Sequence, residues 1–226
     1  MTGYPASYYA ASADPGPVRP ALAGERAVEV CVVGAGFTGL SAALELAERG
    51  HQVLVLEAAR VGWGASGRNG GQIVNGLNAS LATVERRYGR GTADFVATVV
   101  QEGGRIIRER VARYRIACDL KDGNLFTAFT AAQMRALAAK QSLWRGYGID
   151  TFELLDAAGV RRHVASGAYA GGMLDRAGGH LHPLKLALGE AAALEGLGGV
   201  IHEETPVVRV ENGITRSAIS GTTAPR

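Results

Sequence analysis

The sequence predicts an α/β fold, and three features near its N-terminus carry that prediction. Val28-Glu29-Val30-Cys31-Val32-Val33 is a short, apolar, β-branched run of the kind that forms a buried strand. The glycine-rich turn Gly34-Ala35-Gly36-Phe37-Thr38-Gly39 follows at once. Behind it Phe37, Leu40, Leu44 and Ala47 recur at helical spacing up to Gly50, a residue suited to stop a helix. Gln52 to Glu57 is a second apolar strand. Strand, tight turn, helix and strand within ~30 residues make a right-handed βαβ unit with parallel strands.

The rest of the chain follows in order. Residues 1–25 hold Pro5, Pro15, Pro17 and Pro20 without a visible period, which predicts an extended arm or a disordered lead. Tyr4, Tyr8 and Tyr9 are candidates to pin it to the body. Residues 58–78 are glycine-rich and irregular. Leu81 to Ile116 is helical, with breaks at Gly89-Arg90-Gly91 and Gly103-Gly104. Leu120 to Thr130 reads as a hairpin through Asp122-Gly123, followed by a helix from Ala131 to Arg145. A short helix is expected over Val160 to Ala165 and a strand over Ala168 to Leu174. Pro183 opens a helix to about Leu194, with proline near its first turn. Val200 to His202 and Val207 to Val210 are strands.

Composition bounds the function. At ~150 residues per domain, 226 residues make one large domain or two small ones, enough for a sizeable core. The 32 glycines are about double the usual ~7% share. Ordering glycine costs entropy, so many must serve close backbone approach or positive φ. A net charge of +3, from 24 basic and 21 acidic residues, argues against a nucleic-acid partner. The densest basic stretch, Arg105 to Arg115, reads as a solvated helix face. Two cysteines, Cys31 inside a strand run and Cys118 far from it, form no metal or disulfide framework, which predicts a reducing, cytoplasmic setting. Neither a secretory signal nor a run of ~18 apolar residues is visible, so no membrane partner is expected.

Gly34, Gly36 and Gly39 fit G-x-G-x-x-G between a strand and a helix. The first glycine permits the tight turn, the second lets backbone approach a pyrophosphate, and the third lets helix and strand pack closely. The helix N-terminus offers unpaired N–H groups and partial positive charge to the phosphates. Glu57 ends the second strand 18 residues after Gly39, where an acid accepts hydrogen bonds from ribose hydroxyls. An acid there argues against a 2′-phosphate, hence against NADP. The fingerprint itself does not choose between FAD and NAD.

The segment Glu57-Ala58-Ala59-Arg60-Val61-Gly62-Trp63-Gly64-Ala65-Ser66-Gly67-Arg68-Asn69-Gly70-Gly71-Gln72 resembles the stretch after the second strand in the D-amino-acid oxidase-like FAD-dependent oxidoreductases. Within that family, Gly64 to Gln72, Ser7-Tyr8-Tyr9-Ala10-Ala11 and Gly179-His180-Leu181-His182-Pro183 are most similar to the γ-glutamylputrescine oxidase-like members. The resemblance spans residues 7–211 and is strongest in 28–72. It implies a Rossmann-type FAD-binding domain, over 26–116 and 179–212, with a partial α+β substrate domain over 117–178. It further implies that Gly34, Gly36, Phe37, Thr38, Gly39, Glu57, Ala58, Arg60, Gly64, Ala65, Ser66, Arg68, Asn69, Gly70, Gly71 and Gln72 line the FAD site, and that the Val207 backbone bonds adenine. Crowded glycines suit close passage of backbone along a flat ring. Arg68 has a surface salt bridge as its alternative role, Ser66 a helix cap, and Val207 a plain core position.

The implied reaction oxidises a small-molecule amine or amino acid to an imine, which water hydrolyses, with molecular oxygen as acceptor and hydrogen peroxide as product. His180, His182, His202, Glu203 and Glu204 lack the spacing of a metal motif, and no metal is expected. Tyr147, Tyr169, His163 and His180 are possible substrate-side groups, but none stands out, and no catalytic residue is assigned. Family members continue beyond Glu211 with further strands, whereas Asn212 to Arg226 is polar and without a period. A C-terminally truncated chain with an irregular tail over 213–226 is therefore expected. Two alternatives stay open: a non-catalytic remnant of such an oxidase, and an NAD-dependent dehydrogenase.

Overall fold

The computed structural model describes residues 3–211 and 214–217. Its elements begin with α1 (Tyr8–Ser12), β1 (Val30–Val33), α2 (Phe37–Glu48), β2 (Val53–Leu56), a 3-10 turn at Ala65–Gly67, β3 (Gln72–Ile73), α3 (Leu81–Tyr88) and α4 (Arg90–Arg113). They continue with β4 (Lys121–Ala128), α5 (Ala131–Arg145), β5 (Phe152–Asp156), α6 (Ala157–Arg161), β6 (Gly171–His180), α7 (Pro183–Gly196), β7 (Val200–His202), β8 (Val207–Glu211) and β9 (Ile214–Ser217). Contacts divide the chain into two compact units. The first holds Met1–Gly70, Arg110–Cys118 and His182–Arg226, and the second holds Gly71–Glu109 and Asp119–Leu181.

In the first unit β1, β2 and β7 form a parallel sheet in the order β1-β2-β7. The central strand β2 is buried along its whole length. Its side chains alternate between two cores, as strand geometry requires. Val53 and Val55 join Leu40, Leu44, Leu194 and Ile201, so α2 and α7 cover one face. Leu54 and Leu56 join Leu22 on the other. Each such burial stabilises by roughly 1.5–3 kcal/mol. Helix α7 begins at Pro183, as expected, and His182 caps it by accepting from the Lys185 amide through Nδ1 at 3.1 Å.

The N-terminal arm is ordered against this unit. Leu22 is buried, Tyr4 Oη donates to the Val61 carbonyl at 2.7 Å, and the Tyr9 ring lies 5.0 Å from the His182 ring, edge to face. Tyr8 stays largely exposed. Tyr4 and Tyr9 are candidates for this pinning, but the sequence cannot name their partners, because each contact joins residues far apart in the chain.

The second unit is built on an antiparallel sheet with β6 at its centre. β4 pairs along one edge of β6, while β5 and β3 share the other. Leu81, Ala97, Trp144, Phe152 and Met173 form its core. Helix α5 opens with a capping box: Thr130 accepts from the Gln133 amide, and Gln133 accepts from the Thr130 amide. We expect Thr130→Ala to cost about 1 kcal/mol in urea unfolding.

The structure departs from the sequence-based expectations at several places. The domain expected to include 26–116 loses residues 71–109 to the second unit. The reason is that β3 pairs with β6, and Val96, Ala97 and Val100 of α4 pack into the second core. The expected hairpin at Asp122-Gly123 is one continuous strand, β4, with a register shift between Asp122 and Asn124. Gly123 takes φ +89° to form that irregularity rather than a reversal. The expected helix break at Gly103-Gly104 is absent, since α4 runs through both. Gly104 instead admits close neighbours: an added Cβ would lie 3.1 Å from Asn75 Oδ1. The strand expected over 168–174 extends to His180, because pairing with β4 continues along it. The short helix expected over 160–165 lies over Ala157–Arg161, capped by Asp156. The tail expected to be irregular from 213 contains β9, which pairs antiparallel with β8; residues 218–226 lie outside the described ones.

Candidate dinucleotide site

The site forms in the first unit, where β1 and β2 end. Gly34 takes φ +95° just after β1, and its amide donates to the Leu56 carbonyl at 2.8 Å. Only glycine adopts that conformation without strain. A Cβ on Gly39 would stand 2.0 Å from the Gly34 carbonyl oxygen, so the third glycine is demanded by the turn folding back on the helix. Gly36 is the N-cap of α2 and has no side chain to satisfy the first amides. Ser66 does part of that work from a distance, its Oγ accepting from the Phe37 amide at 2.9 Å. A Cβ on Gly36 would meet that Oγ at 2.9 Å. Ser66 is thus a helix cap placed inside the candidate site. Thr38 is exposed in the first turn of α2.

Glu57 lies beside this turn. One carboxylate oxygen accepts from the Ala35 amide at 2.7 Å and the other from the Ala59 amide at 2.8 Å. A carboxylate offers about four acceptor positions, so two bonds leave capacity for two hydroxyls. Ala58, next to it, is exposed. The segment approaching Val207 is tied to the same place, since the Thr205 amide donates to the Glu57 carbonyl at 2.8 Å. Val207 itself opens β8 and packs against the core formed by Leu22, Leu54 and Leu56.

The following loop is laid against the glycine turn. The Gly62 amide donates to the Ala35 carbonyl at 2.8 Å, and a Cβ on Gly67 would collide with the Gly62 carbonyl at 2.2 Å. Asn69 Nδ2 donates to the carbonyls of Ala65 and Ser66 at 3.2 and 2.8 Å, which holds the 3-10 turn. Arg68 is exposed, donates to the Gly64 carbonyl at 3.1 Å and rests 5.0 Å over the Trp63 ring. Among the described residues it forms no ion pair. Gly70 is exposed.

Three further expected residues bond to protein groups in ways the sequence did not indicate. Arg60 turns inward and is only 7% exposed. Its Nε donates to Glu203 Oε2 at 2.8 Å, and a terminal nitrogen reaches the Gly16 carbonyl at 3.2 Å. Its guanidinium is thereby spent on protein groups. Gly71 and Gln72 belong to the second unit, where Gln72 pairs with His180 and the Gly71 carbonyl accepts from the Leu181 amide at 2.8 Å.

Among the possible substrate-side groups, Tyr147 donates to Glu85 and Tyr169 packs on Phe129. Of those weighed as metal ligands, His182 caps α7 and Glu203 is buried in ion pairs. The pairing of Glu203 is what the sequence did not show. Its partner Arg60 is 143 positions away, and no local signal links them. Among the described residues no helix is long and apolar enough to cross a membrane.

A dinucleotide fits this arrangement. The start of α2 carries no cap of its own, Glu57 is held with acceptor capacity to spare, and among the described residues no atom beyond the chain neighbours stands within 4 Å of where a Cβ on Gly34 or Gly64 would be.

A family model described as FAD dependent oxidoreductase matches residues 29–225. Gamma-glutamylputrescine oxidoreductase of Escherichia coli (strain K12) is 46% identical over 227 residues, covering 99% of this chain and 53% of that protein. Probable oxidoreductase OrdL of Haemophilus influenzae is 41% identical over 203 residues, covering 89% of this chain and 47% of that protein. The chain spans about half the length of these curated relatives. Among solved structures, L-amino acid deaminase from Proteus myxofaciens matches with a TM-score of 0.69 at 16% identity, over 90% of this chain and 44% of that one. Glycine oxidase from Geobacillus kaustophilus matches with a TM-score of 0.64 at 24% identity, over 80% of this chain and 47% of that one. Both likenesses are of fold.

Proposed function

Because the chain belongs to the FAD dependent oxidoreductase family, we propose that it supplies the FAD-holding part of an enzyme that oxidises a small amine or amino acid. The observation that carries this reading is the Glu57 carboxylate, fixed between the Ala35 and Ala59 amides beside the start of α2, whose N-cap Gly36 has no side chain of its own. Glu57 would accept from the ribose hydroxyls, and the first amides of α2 would face the pyrophosphate. Ala58 and the Val207 backbone would lie toward adenine. Gly64, Ala65, Ser66, Arg68, Asn69 and Gly70 would border the pyrophosphate and flavin side. Family membership favours FAD over NAD for this fingerprint.

Bound FAD supplies a two-electron acceptor for a C–H bond beside an amine nitrogen. The products are an imine, hydrolysed to an aldehyde or keto product, and hydrogen peroxide when oxygen is the acceptor. Similarity to the Escherichia coli enzyme supports γ-glutamylputrescine as the substrate to try first. A chain with only two cysteines supports a cytoplasmic setting.

The test is the visible spectrum of the purified chain after adding FAD and removing the excess. Retained flavin bands are expected. Glu57→Gln should weaken FAD binding about tenfold or more, since bonds to a charged acceptor are worth ~1.5–3 kcal/mol. Equal affinity in the variant would refute the assigned role. Amine-dependent peroxide production from the chain alone would separate a complete oxidase from a chain that holds the cofactor without turnover.

A further inference from the structure

Glu203 is fully buried, and four donors converge on it. Its Oε1 accepts from the Val61 amide at 2.8 Å, and its Oε2 accepts from Arg60 Nε at 2.8 Å and the Arg19 amide at 2.9 Å. The Arg19 guanidinium adds a longer contact to Oε1 at 3.5 Å and pairs with Glu195 at 2.6 Å. The residues that follow Glu203 bond to the same loop: the Glu204 amide donates to the Ala59 carbonyl at 3.0 Å and the Thr205 amide to the Glu57 carbonyl at 2.8 Å. Tyr4 closes the arrangement from the arm. Its hydroxyl donates to the Val61 carbonyl at 2.7 Å, and the Arg60 guanidinium lies 5.3 Å over its ring. Burial pushes that hydroxyl up to about 12, so it stays a donor at neutral pH.

A buried ion pair seldom adds net stability, because desolvation cancels most of the attraction. What it does add is directional constraint. Here the constraint falls on residues 57–61, the loop that carries Glu57 and the Ala59 amide bonded to it. The donors come from β2's exit loop and from the N-terminal arm, so a single carboxylate joins the two.

We propose that Glu203 and the N-terminal arm, through Tyr4 and Arg19, are positioning elements for the adenosine end of the cofactor site. Glu203 holds Val61 by its amide, Tyr4 holds Val61 by its carbonyl, and Arg19 brings the arm onto the same carboxylate. Together they keep Glu57 in register for the ribose. The proposal rests on the FAD reading above.

The experiment compares the full wild-type chain with Tyr4→Phe, Arg19→Ala and Glu203→Gln. FAD affinity is read by flavin fluorescence, ADP affinity by calorimetry as a probe of the adenosine half, and local order by amide hydrogen exchange. Tyr4→Phe is the mild variant, removing one hydrogen bond and leaving the buried charges paired, and it serves if Glu203→Gln does not fold. Each folded variant should lose FAD and ADP affinity by the same factor, about three- to tenfold. Exchange should quicken at 57–61, with the rest of the first unit unchanged. Faster exchange at 57–61 with both affinities intact overturns the proposal. So does an affinity loss that appears only with general unfolding. If the wild-type chain retains no FAD, the cofactor reading fails. The positioning proposal is then decided by ADP, and it is overturned if ADP does not bind or binds the variants equally.

Discussion

Alanine at Gly39 should destabilise the first unit by more than ~3 kcal/mol and remove flavin retention with it. Helix propensity alone points the other way, since alanine is favoured over glycine by ~1 kcal/mol inside a helix. The collision decides the sign. The added Cβ would stand 2.0 Å from the Gly34 carbonyl oxygen and 3.3 Å from Val32 Cγ1. The first neighbour is backbone, and it cannot swing aside as a side-chain tip can. To relieve it, the turn must open, which separates α2 from β1 and moves the α2 amides that face the site. Gly196→Ala is the control in the same unit, because among the described residues no atom outside its own stretch of helix lies within 4 Å of the added Cβ. That variant should unfold within ~0.5 kcal/mol of wild type. Urea unfolding of both proteins makes the comparison. Near-equal midpoints for the two would show that the turn is looser than its geometry implies.

The second large effect is a pH dependence set by Glu190. This residue lies in α7, is 3% exposed, and leaves Oε2 without a hydrogen-bond partner. Burial pushes its carboxyl up to about 7, against the opposing pull of Arg110 at 3.6 Å. The folded-state value therefore lies above the unfolded one of 4.5. A raised carboxyl favours folding while it is protonated. Its contribution is full below pH 4.5, declines as pH rises, and is gone above about 7. A shift of this size corresponds to at most roughly 3 kcal/mol. Glu190→Gln keeps the shape and removes the titration. Arg110 retains Ser41, whose Oγ and carbonyl accept at 2.6 and 3.2 Å, and Glu45 at 3.6 Å. The stability of the variant relative to wild type should therefore rise between pH 5 and pH 8, by up to those few kcal/mol. Parallel unfolding profiles for the two proteins across that range would exclude this role for Glu190.

Much of the fold was legible in the sequence because it rests on short-range physics. The glycine turn, the helix it opens, the acid at the end of β2, the helix α5 and the proline start of α7 are each decided within a few residues. A steric limit on φ, an unpaired amide or a side chain one turn away is enough to specify them. The candidate site was legible for the same reason in its first part, from Gly34 to Glu57.

Tertiary structure alone decided the rest. Gly123 carries the same turn signature in a hairpin and in a bulge, and pairing with β6 selects the bulge. Residues 71–109 took the second unit because β3 found its partner in β6, more than a hundred positions later. Arg60 resembles a cofactor ligand in one dimension, yet its guanidinium is claimed by Glu203 across 143 positions. The proline-rich arm has no period to read, and its order comes from Leu22, Tyr4 and Arg19 meeting residues brought near by the folded sheet. A single sequence determines which groups can donate, accept or be buried. Which of them meet is set by chain closure over long separations, where the entropy of bringing residues together is offset only by the assembled core.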